Sequence, residues 1–308
     1  MRSDEANVRT VVIRVPATSA NLGPGFDALG LALSLNDEVE ATLTGEPGVH
    51  VTVEGEGAGE VDTGEGHLVI KAMRRAFGLM GVPQPDGIRL HCRNRIPHAR
   101  GLGSSSAAVC AGILAARALA DSEMSDDDVF ALATEMEGHP DNVAPCLAGG
   151  LTIAWSDHSG APRKLKVTPD QRIRPVVAIP AARLSTEAAR GLLPKDVPHK
   201  DASFNAGRAA LLIAALTLRP ERELLLAATE DRLHQRYRAP VMRESVDLVE
   251  RLRAVGVPAV VSGAGPTVLA FSTSDTQDLI APEVGNDWHI QQMDVDPVGA
   301  NVQFPETR

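Results

Sequence analysis

The chain reads as an α+β protein of two domains, and three observations predict this. The first half carries several short runs of alternating apolar residues, and one of them feeds a Gly/Ser turn and a small-residue helix. The polar stretch Ser156–Gln171, with Pro162 and Pro169 inside it, then breaks the pattern. Beyond it strands and helices resume as a second α+β half. At 308 residues the chain is long enough for two domains, and the expected division is 1–165 and 166–308.

Taken in order, Val11, Ile13 and Val15 alternate as a strand that Pro16 is expected to close. Val39, Ala41 and Leu43 alternate likewise, as do Val49, Val51 and Val53. Leu68, Ala72, Ala76 and Met80 repeat at helical spacing, with Lys71, Arg74 and Arg75 on the other face. Ile88, Leu90 and Cys92 form a strand that runs into the Gly/Ser turn and a helix over about 105–120. Ser125 and Asp128 have the spacing of a capping box for a helix that ends before Gly138. Gly149 and Gly150 open a strand through Leu151, Ile153 and Trp155. In the second half, Val176–Ile179 is a buried-type strand, and helices are expected over about 202–218 and 240–254. Pro240 suits a first helical position and Gly256 a stop. Strands over 257–261 and 267–271 flank a Gly-rich turn, and a last strand is expected over 288–295.

Composition narrows the function. A formal net charge of −10 disfavours a nucleic-acid surface, which needs a dominant basic patch. A local arginine cluster or a helix N-terminus could still serve an anionic small molecule. With only Trp155, Trp288, Tyr237 and six Phe, the core must rest on Ala, Val, Leu and Ile. Cys92, Cys110 and Cys146 are odd in number and not in a metal spacing, which reads as free buried thiols in a reducing compartment. The polar segment 1–9 lacks the apolar run of a signal peptide, and the most apolar stretch, Ala107–Ala116, is too short to span a bilayer. A cytoplasmic protein without membrane or nucleic-acid partners is expected.

The most informative segment runs Ile96-Pro97-His98-Ala99-Arg100-Gly101-Leu102-Gly103-Ser104-Ser105-Ser106-Ala107-Ala108. It follows a strand and opens a helix. Its glycines allow a tight turn and close approach to a ligand. Successive backbone N–H groups and the helix N-terminus then suit phosphate oxygens. No Lys follows the second Gly, so this is not a P-loop, and the spacing is not that of a dinucleotide fingerprint.

Pro97-x-x-x-Gly101-Leu102-Gly103-Ser104-Ser105 resembles the ATP-binding motif of the GHMP kinases, the family of galactokinase, homoserine kinase, mevalonate kinase and phosphomevalonate kinase. Pro16-Ala17-Thr18-Ser19-Ala20-Asn21-Leu22-Gly23-Pro24-Gly25-Phe26-Asp27 resembles the first motif of that family, and Ser262-Gly263-Ala264-Gly265-Pro266-Thr267 the third. All three occur in family order over about residues 11–300. The resemblance implies the two-domain GHMP kinase fold. Its N-terminal domain binds ATP (ribosomal protein S5 domain 2-like), its C-terminal domain is ferredoxin-like, and the active site lies between them. Pro97, His98, Ala99, Arg100, Gly101, Leu102, Gly103, Ser104, Ser105, Ser106 and Ala107 are then the expected nucleotide contacts.

Glu137-Gly138-His139-Pro140-Asp141-Asn142-Val143-Ala144-Pro145 resembles a short bacterial signature of the homoserine-phosphorylating members. By that resemblance Glu137 and the hydroxyl of Ser105 are expected to hold Mg2+, a hard cation suited to oxygen ligands. The acceptor expected is L-homoserine. Asn21 and Asp27 match positions at its amino end, while Thr186, Arg190 and Arg238 match positions near its carboxylate, with Arg236 competing for the last role. His139, Asn142 and Gly263 complete the expected acceptor pocket. Asp141, Asn142 and Asp27 are the catalytic candidates, none of them an unambiguous base. His67 stands where many family members carry Asn near the adenine, and a homodimer is implied by the resemblance alone. Two other readings stand beside this one: another small-molecule kinase of the family, such as one acting on mevalonate, and a non-catalytic ATP or amino-acid sensor.

Overall fold

The computed structural model describes residues 9–305. The polar segment before Arg9, read above for a leader, therefore lies outside the described residues. The chain opens with β1 (Thr10–Ala20), β2 (Leu29–Thr44) and β3 (Gly48–Gly55), then crosses over through α1 (Leu68–Leu79) to β4 (Gly87–Asn94). Next come α2 (Ser104–Leu119), α3 (Asp126–Glu137), α4 (Val143–Ala148) and the hairpin β5 (Leu151–Ser156) and β6 (Pro162–Val167). The second half runs β7 (Arg174–Pro180), α5 (Thr186–Arg190), α6 (His199–Thr217), α7 (Arg222–Ala228), α8 (Gln235–Arg238), α9 (Arg243–Ala254), β8 (Ala259–Val261), β9 (Val268–Ser272), α10 (Ile280–Val284), β10 (Trp288–Gln292) and β11 (Asn301–Gln303).

The first sheet has the order β11-β1-β2-β4-β3, with β5 on β2 and β6 on β5. Its terminal strand comes from the far end of the chain: Val12–Arg14 pair with Asn301–Gln303. The sheet carries one layer of helices, with α2 at its centre. α2 is buried almost all round, and its small residues let α1 approach closely. A Cβ at Gly112 would collide with the carbonyl of Val69 and the side chain of Ala72.

The second sheet runs β10-β7-β9-β8, every neighbour antiparallel. Numbered within this half, that is the order 4-1-3-2 of a ferredoxin-like domain, as the family resemblance implies. Its strands alternate between two cores. Val177, Ile179, Leu269 and Phe271 join the large core that includes the first sheet. Val176, Ala178, Val268 and Ala270 face Leu248 and Leu252 of α9 and Ile280 and Val284 of α10.

Three expectations need correction. β1 does not stop at Pro16. The register shifts there, from Pro16 opposite Asn36 to Ala17 opposite Leu33, so the missing N–H falls at an irregularity and the strand continues to Ala20. The stretch 156–171, read above as a break in the pattern, contains an ordered turn and a strand. Asp157 accepts from the amides of Ser159 and Ala161, Gly160 takes φ 83°, and Pro162 starts edge strand β6. Pro240 sits in a short 3-10 turn, Ala239–Val241, and α9 begins only at Arg243. By contrast, the capping box forms as read: Ser125 accepts from Asp128 N, and the Asp128 carboxylate accepts from Ser125 N. All three cysteines are free and buried. Among the described residues no helix is long and apolar enough to cross a membrane.

Candidate active site

Four connections meet at one cleft: the β1–β2 turn, the β4–α2 loop, the corner between α3 and α4, and the β8–β9 turn. The sequence folds this way because each connection carries residues for an awkward backbone. Gly101 and Gly103 take φ 77° and 73°. A Cβ at Gly101 would run into the carbonyl of Ser262, and one at Gly103 into the hydroxyl of Thr18. Of five non-glycine residues with positive φ among the described residues, four lie here: Asn21, Leu22, Asp27 and Ala99.

Thr18, Ser19 and Ser262, which are not among the expected site residues, lock these turns together with Asn21 and Asn142. Thr18 N donates to Leu102 O at 3.0 Å, and its hydroxyl donates to Asn142 Oδ1 at 2.8 Å. The Ser262 hydroxyl lies 2.6 Å from Gly101 O and 2.8 Å from Ser19 Oγ. Asn21 Nδ2 donates to Gly263 O at 2.9 Å, while Asn21 Oδ1 accepts from Asp27 N at 2.9 Å. Thr18, Ser19 and Ser262 all sit inside the quoted motifs, which was the available signal.

The cleft encloses about 580 Å³ and is lined by loop, α3–α4 corner, α5 and α8 residues. On one side α2 begins at Ser104, with Gly103 as its N-cap, no capping side chain and no acid in its first turn. Its first amides, at Ser104, Ser105 and Ser106, therefore retain their capacity for an anion. Ser105 and Ser106 both donate their hydroxyls to the Glu137 carboxylate, each at 2.6 Å. This oxygen cluster fits a divalent cation that shares phosphate oxygens and keeps water. Among the described residues no trio of His, Cys, Asp or Glu gathers to hold a metal unaided.

A second cavity of about 370 Å³ adjoins the first through Ser104 and Ser105. His67 and His98 line it, and burial lowers the pKa of both imidazoles. His67 is 7% exposed and its Nδ1 has no hydrogen-bond partner. Asp37 also lines this cavity. Burial pushes its carboxyl up to about 6, against the pull of the Ile96 and Arg95 amides that it accepts. Nothing in the sequence marks Asp37, which sits in an ordinary strand.

Across the first cavity lie two arginines. Arg190 forks onto Asp27 at 2.8 and 2.9 Å, which raises its pKa. Arg238 is 1% exposed, and among the described residues it has no acid within salt-bridge distance and leaves Nε unpartnered. Burial, then the neighbouring Arg190, lowers its pKa. Both guanidinium groups lie over the Phe26 ring, at 5.7 and 5.5 Å. His234 fixes Arg238 from behind. Its Nε2 lies 2.7 Å from Gly23 O, so Nε2 carries the proton and Nδ1 accepts from Arg238 at 3.3 Å. Asp231 accepts the amides of His234 and Gln235 and so anchors the start of α8.

The expected site residues divide accordingly. Asn21, Ala99, Gly101, Gly103, Ser104, Ser105, Ser106, Glu137, His139, Asp141, Asn142, Thr186, Arg190, Arg238 and Gly263 line the first cavity, and His98 and Ala107 the second. Leu102 is buried in the core. Arg236 is exposed and stacks on Tyr237, so of this pair it is Arg238 that reaches the cleft. Pro97, Asp27 and Arg100 line neither cavity; the Arg100 guanidinium is committed to the carbonyls of Pro180, Ala181 and His98. Asp141 is buried and holds His139 Nδ1 at 2.7 Å, a bond that raises the His139 pKa.

The profile of the GHMP kinases N-terminal domain matches residues 66–150, and that of the GHMP kinases C-terminal domain matches 212–290. A homoserine kinase of Streptomyces coelicolor is 56% identical over 295 residues, covering 95% of this chain and 94% of its own. One of Clavibacter michiganensis is 53% identical over 310 residues, with 98% and 97% covered. The crystal structure of a homoserine kinase from Cytophaga hutchinsonii superposes with a TM-score of 0.83 at 26% identity, covering 96% of this chain and 98% of that one.

Proposed function

The chain belongs to the GHMP kinase family, and from that premise we propose that it moves the γ-phosphoryl group of ATP to the side-chain hydroxyl of L-homoserine, giving O-phospho-L-homoserine and ADP. One observation carries the acceptor assignment. The uncapped N-terminus of α2 and Arg238, which has no ion pair among the described residues, belong to the same cleft, so a nucleotide phosphate and a small carboxylate can occupy it together. The names of the relatives support the same acceptor.

In this reading the amides of Ser104, Ser105 and Ser106 receive the transferring phosphate end of ATP, and the second cavity receives the base. Ser105, Ser106 and Glu137 would hold Mg2+, which when bound neutralises phosphate charge. Arg238 takes the acceptor carboxylate, with Thr186 beside it. Asp27 and Asn21 serve the ammonium end, although Asp27 is shared with Arg190. Asn142 accepts from Thr18 through Oδ1, which leaves its NH2 group for the acceptor hydroxyl. Phosphoryl transfer depends chiefly on such placement and charge neutralisation, and alignment alone can supply about 7–11 kcal/mol.

The test is ADP release with MgATP and, in parallel, L-homoserine, mevalonate, L-serine and L-threonine. Turnover confined to L-homoserine is the expected result. Faster turnover on mevalonate would move the assignment to another branch of the family. ATP binding without turnover on any of the four would leave the homoserine assignment without support and favour a sensor.

A further inference from the structure

Arg100 sits in the phosphate loop yet sends its guanidinium out of the cleft. Nε donates to Pro180 O at 3.0 Å, and Nη2 donates to Ala181 O at 3.0 Å. Nη1 donates to His98 O at 3.3 Å and lies 3.9 Å from the Glu56 carboxylate. The fork thus grips two successive carbonyls where β7 ends. The segment it grips is tied down twice more. Arg183 pairs with Glu60 at 2.5 Å, and Leu184 N donates to Ala99 O at 2.9 Å. Ser185 then caps α5, whose Thr186, Glu187 and Arg190 line the acceptor side of the cleft.

Beyond these ties α5 is held mainly by the Arg190 fork on Asp27 of the β1–β2 turn. It is five residues long, and only Ala189 is buried. At its N-terminal end its position therefore depends on tethers from Arg100 and Ala99 of the nucleotide loop, on backbone held at φ 53° at Ala99 and 77° at Gly101. A nucleotide on that loop restrains the same backbone from which Arg100 and the Ala99 carbonyl project. We infer that Arg100 is a positioning residue that couples the two halves of the site: it sets α5 against the phosphate loop, so that nucleotide occupancy raises affinity for the acceptor. The coupling is reciprocal, since linkage requires the acceptor to tighten nucleotide binding by the same factor. A lysine carries the charge but not the fork, so it cannot hold both carbonyls in this geometry. The inference rests on the phosphoryl-transfer reading above, but its hydrogen-exchange readout does not depend on the acceptor's identity.

The experiment compares the wild-type chain with Arg100→Met, which keeps the aliphatic stem without donors, and with Arg100→Lys. Hydrogen exchange is followed in the peptide covering residues 181–191, with and without MgAMPPNP. Nucleotide affinity and the KM for L-homoserine are measured alongside. In the wild type, nucleotide should slow exchange in that peptide. In Arg100→Met the peptide should exchange faster, and nucleotide should no longer slow it. The KM for L-homoserine should rise about tenfold, the scale of a lost charge-assisted hydrogen bond, with nucleotide affinity within about threefold of wild type. Arg100→Lys should fall between the two. Unchanged exchange in both variants would overturn the inference. So would a loss of about tenfold or more in nucleotide affinity with the nucleotide effect on the peptide intact, because that pattern marks a direct phosphate contact. If wild type shows the exchange pattern but does not turn over L-homoserine, the coupling stands and the acceptor assignment fails.

Discussion

Asp27 and Asp141 have partners that leave little room for a general base. Asp27 is held bidentately by Arg190, and Asp141 is buried against His139. A reaction governed by alignment does not need one, since a base adds only about 10²–10⁴-fold where it is used. The expected outcome is that Asp27→Asn and Asp141→Asn each lower turnover at saturating substrate by less than about tenfold, with the larger effect of Asp27→Asn on the KM for the acceptor. A drop of several thousandfold in turnover for either would identify a base. Asp37 yields a stability prediction. Its folded pKa of about 6 exceeds the ordinary 3.8, so the folded state binds a proton that the unfolded state has lost between those values. Stability must therefore fall as pH rises from about 4 to about 6, by about 3 kcal/mol in full. Asp37→Asn keeps an oxygen to accept the Arg95 and Ile96 amides. In urea titrations it should match wild type near pH 4 and be more stable at pH 7.5. A variant equally or less stable at pH 7.5 would show that the charge carries no such penalty. These residue-scale facts were unevenly legible. Gly101 and Gly103 are marked in the sequence by type and spacing, and Ser105 and Glu137 by the family resemblance. The direction of Arg100 and the burial of Asp37 are not, because both depend on what the second sheet and the β4–α2 loop bring alongside.

At the scale of elements, the phosphate loop and α2 form one unit whose shape depends on Gly103. Its φ of 73° and the Thr18 hydroxyl beside it exclude a Cβ. Gly103→Ala should cost about 1–2 kcal/mol in backbone strain and displace Thr18, whose hydroxyl holds Asn142. Calorimetric titration should then show MgAMPPNP affinity reduced about tenfold or more. Gly160→Ala is the control. It has φ 83° but nothing within 4 Å of the added methyl, and it lies in the β5–β6 turn. Equal losses in the two variants would mean that strain alone, not the site, is being read. Alternation and helical spacing made most strands and the longer helices legible. They failed at β6, where polar residues on an exposed edge resemble a linker, and at α4, α5, α7 and α8, which run to seven residues at most and show too few turns for a period to emerge. α5 and α8 carry Arg190 and Arg238, so part of the proposed acceptor side of the cleft belongs to the least legible elements.

At the scale of the whole molecule, the two halves share a core. Leu212, Ala215 and Leu216 of α6 and Leu225 and Ala228 of α7 pack in the same cluster as β1, β2 and α2. Strand β11 returns to pair with β1. Two-domain chains often unfold in stages, but a shared core and an interleaved sheet favour a single transition. Calorimetry should give one peak with the calorimetric and van't Hoff enthalpies equal within about a tenth; two resolved peaks would show that the halves fold independently. The same union places the uncapped end of α2 from one half opposite Arg238 from the other, and the proposed chemistry depends on that juxtaposition. The most direct test is the product itself. With MgATP and L-homoserine, 31P spectroscopy should show a phosphomonoester coupled to the γ-methylene protons of the amino acid, growing in step with ADP. Inorganic phosphate growing in place of that ester, or ATP left unconsumed, would contradict the account.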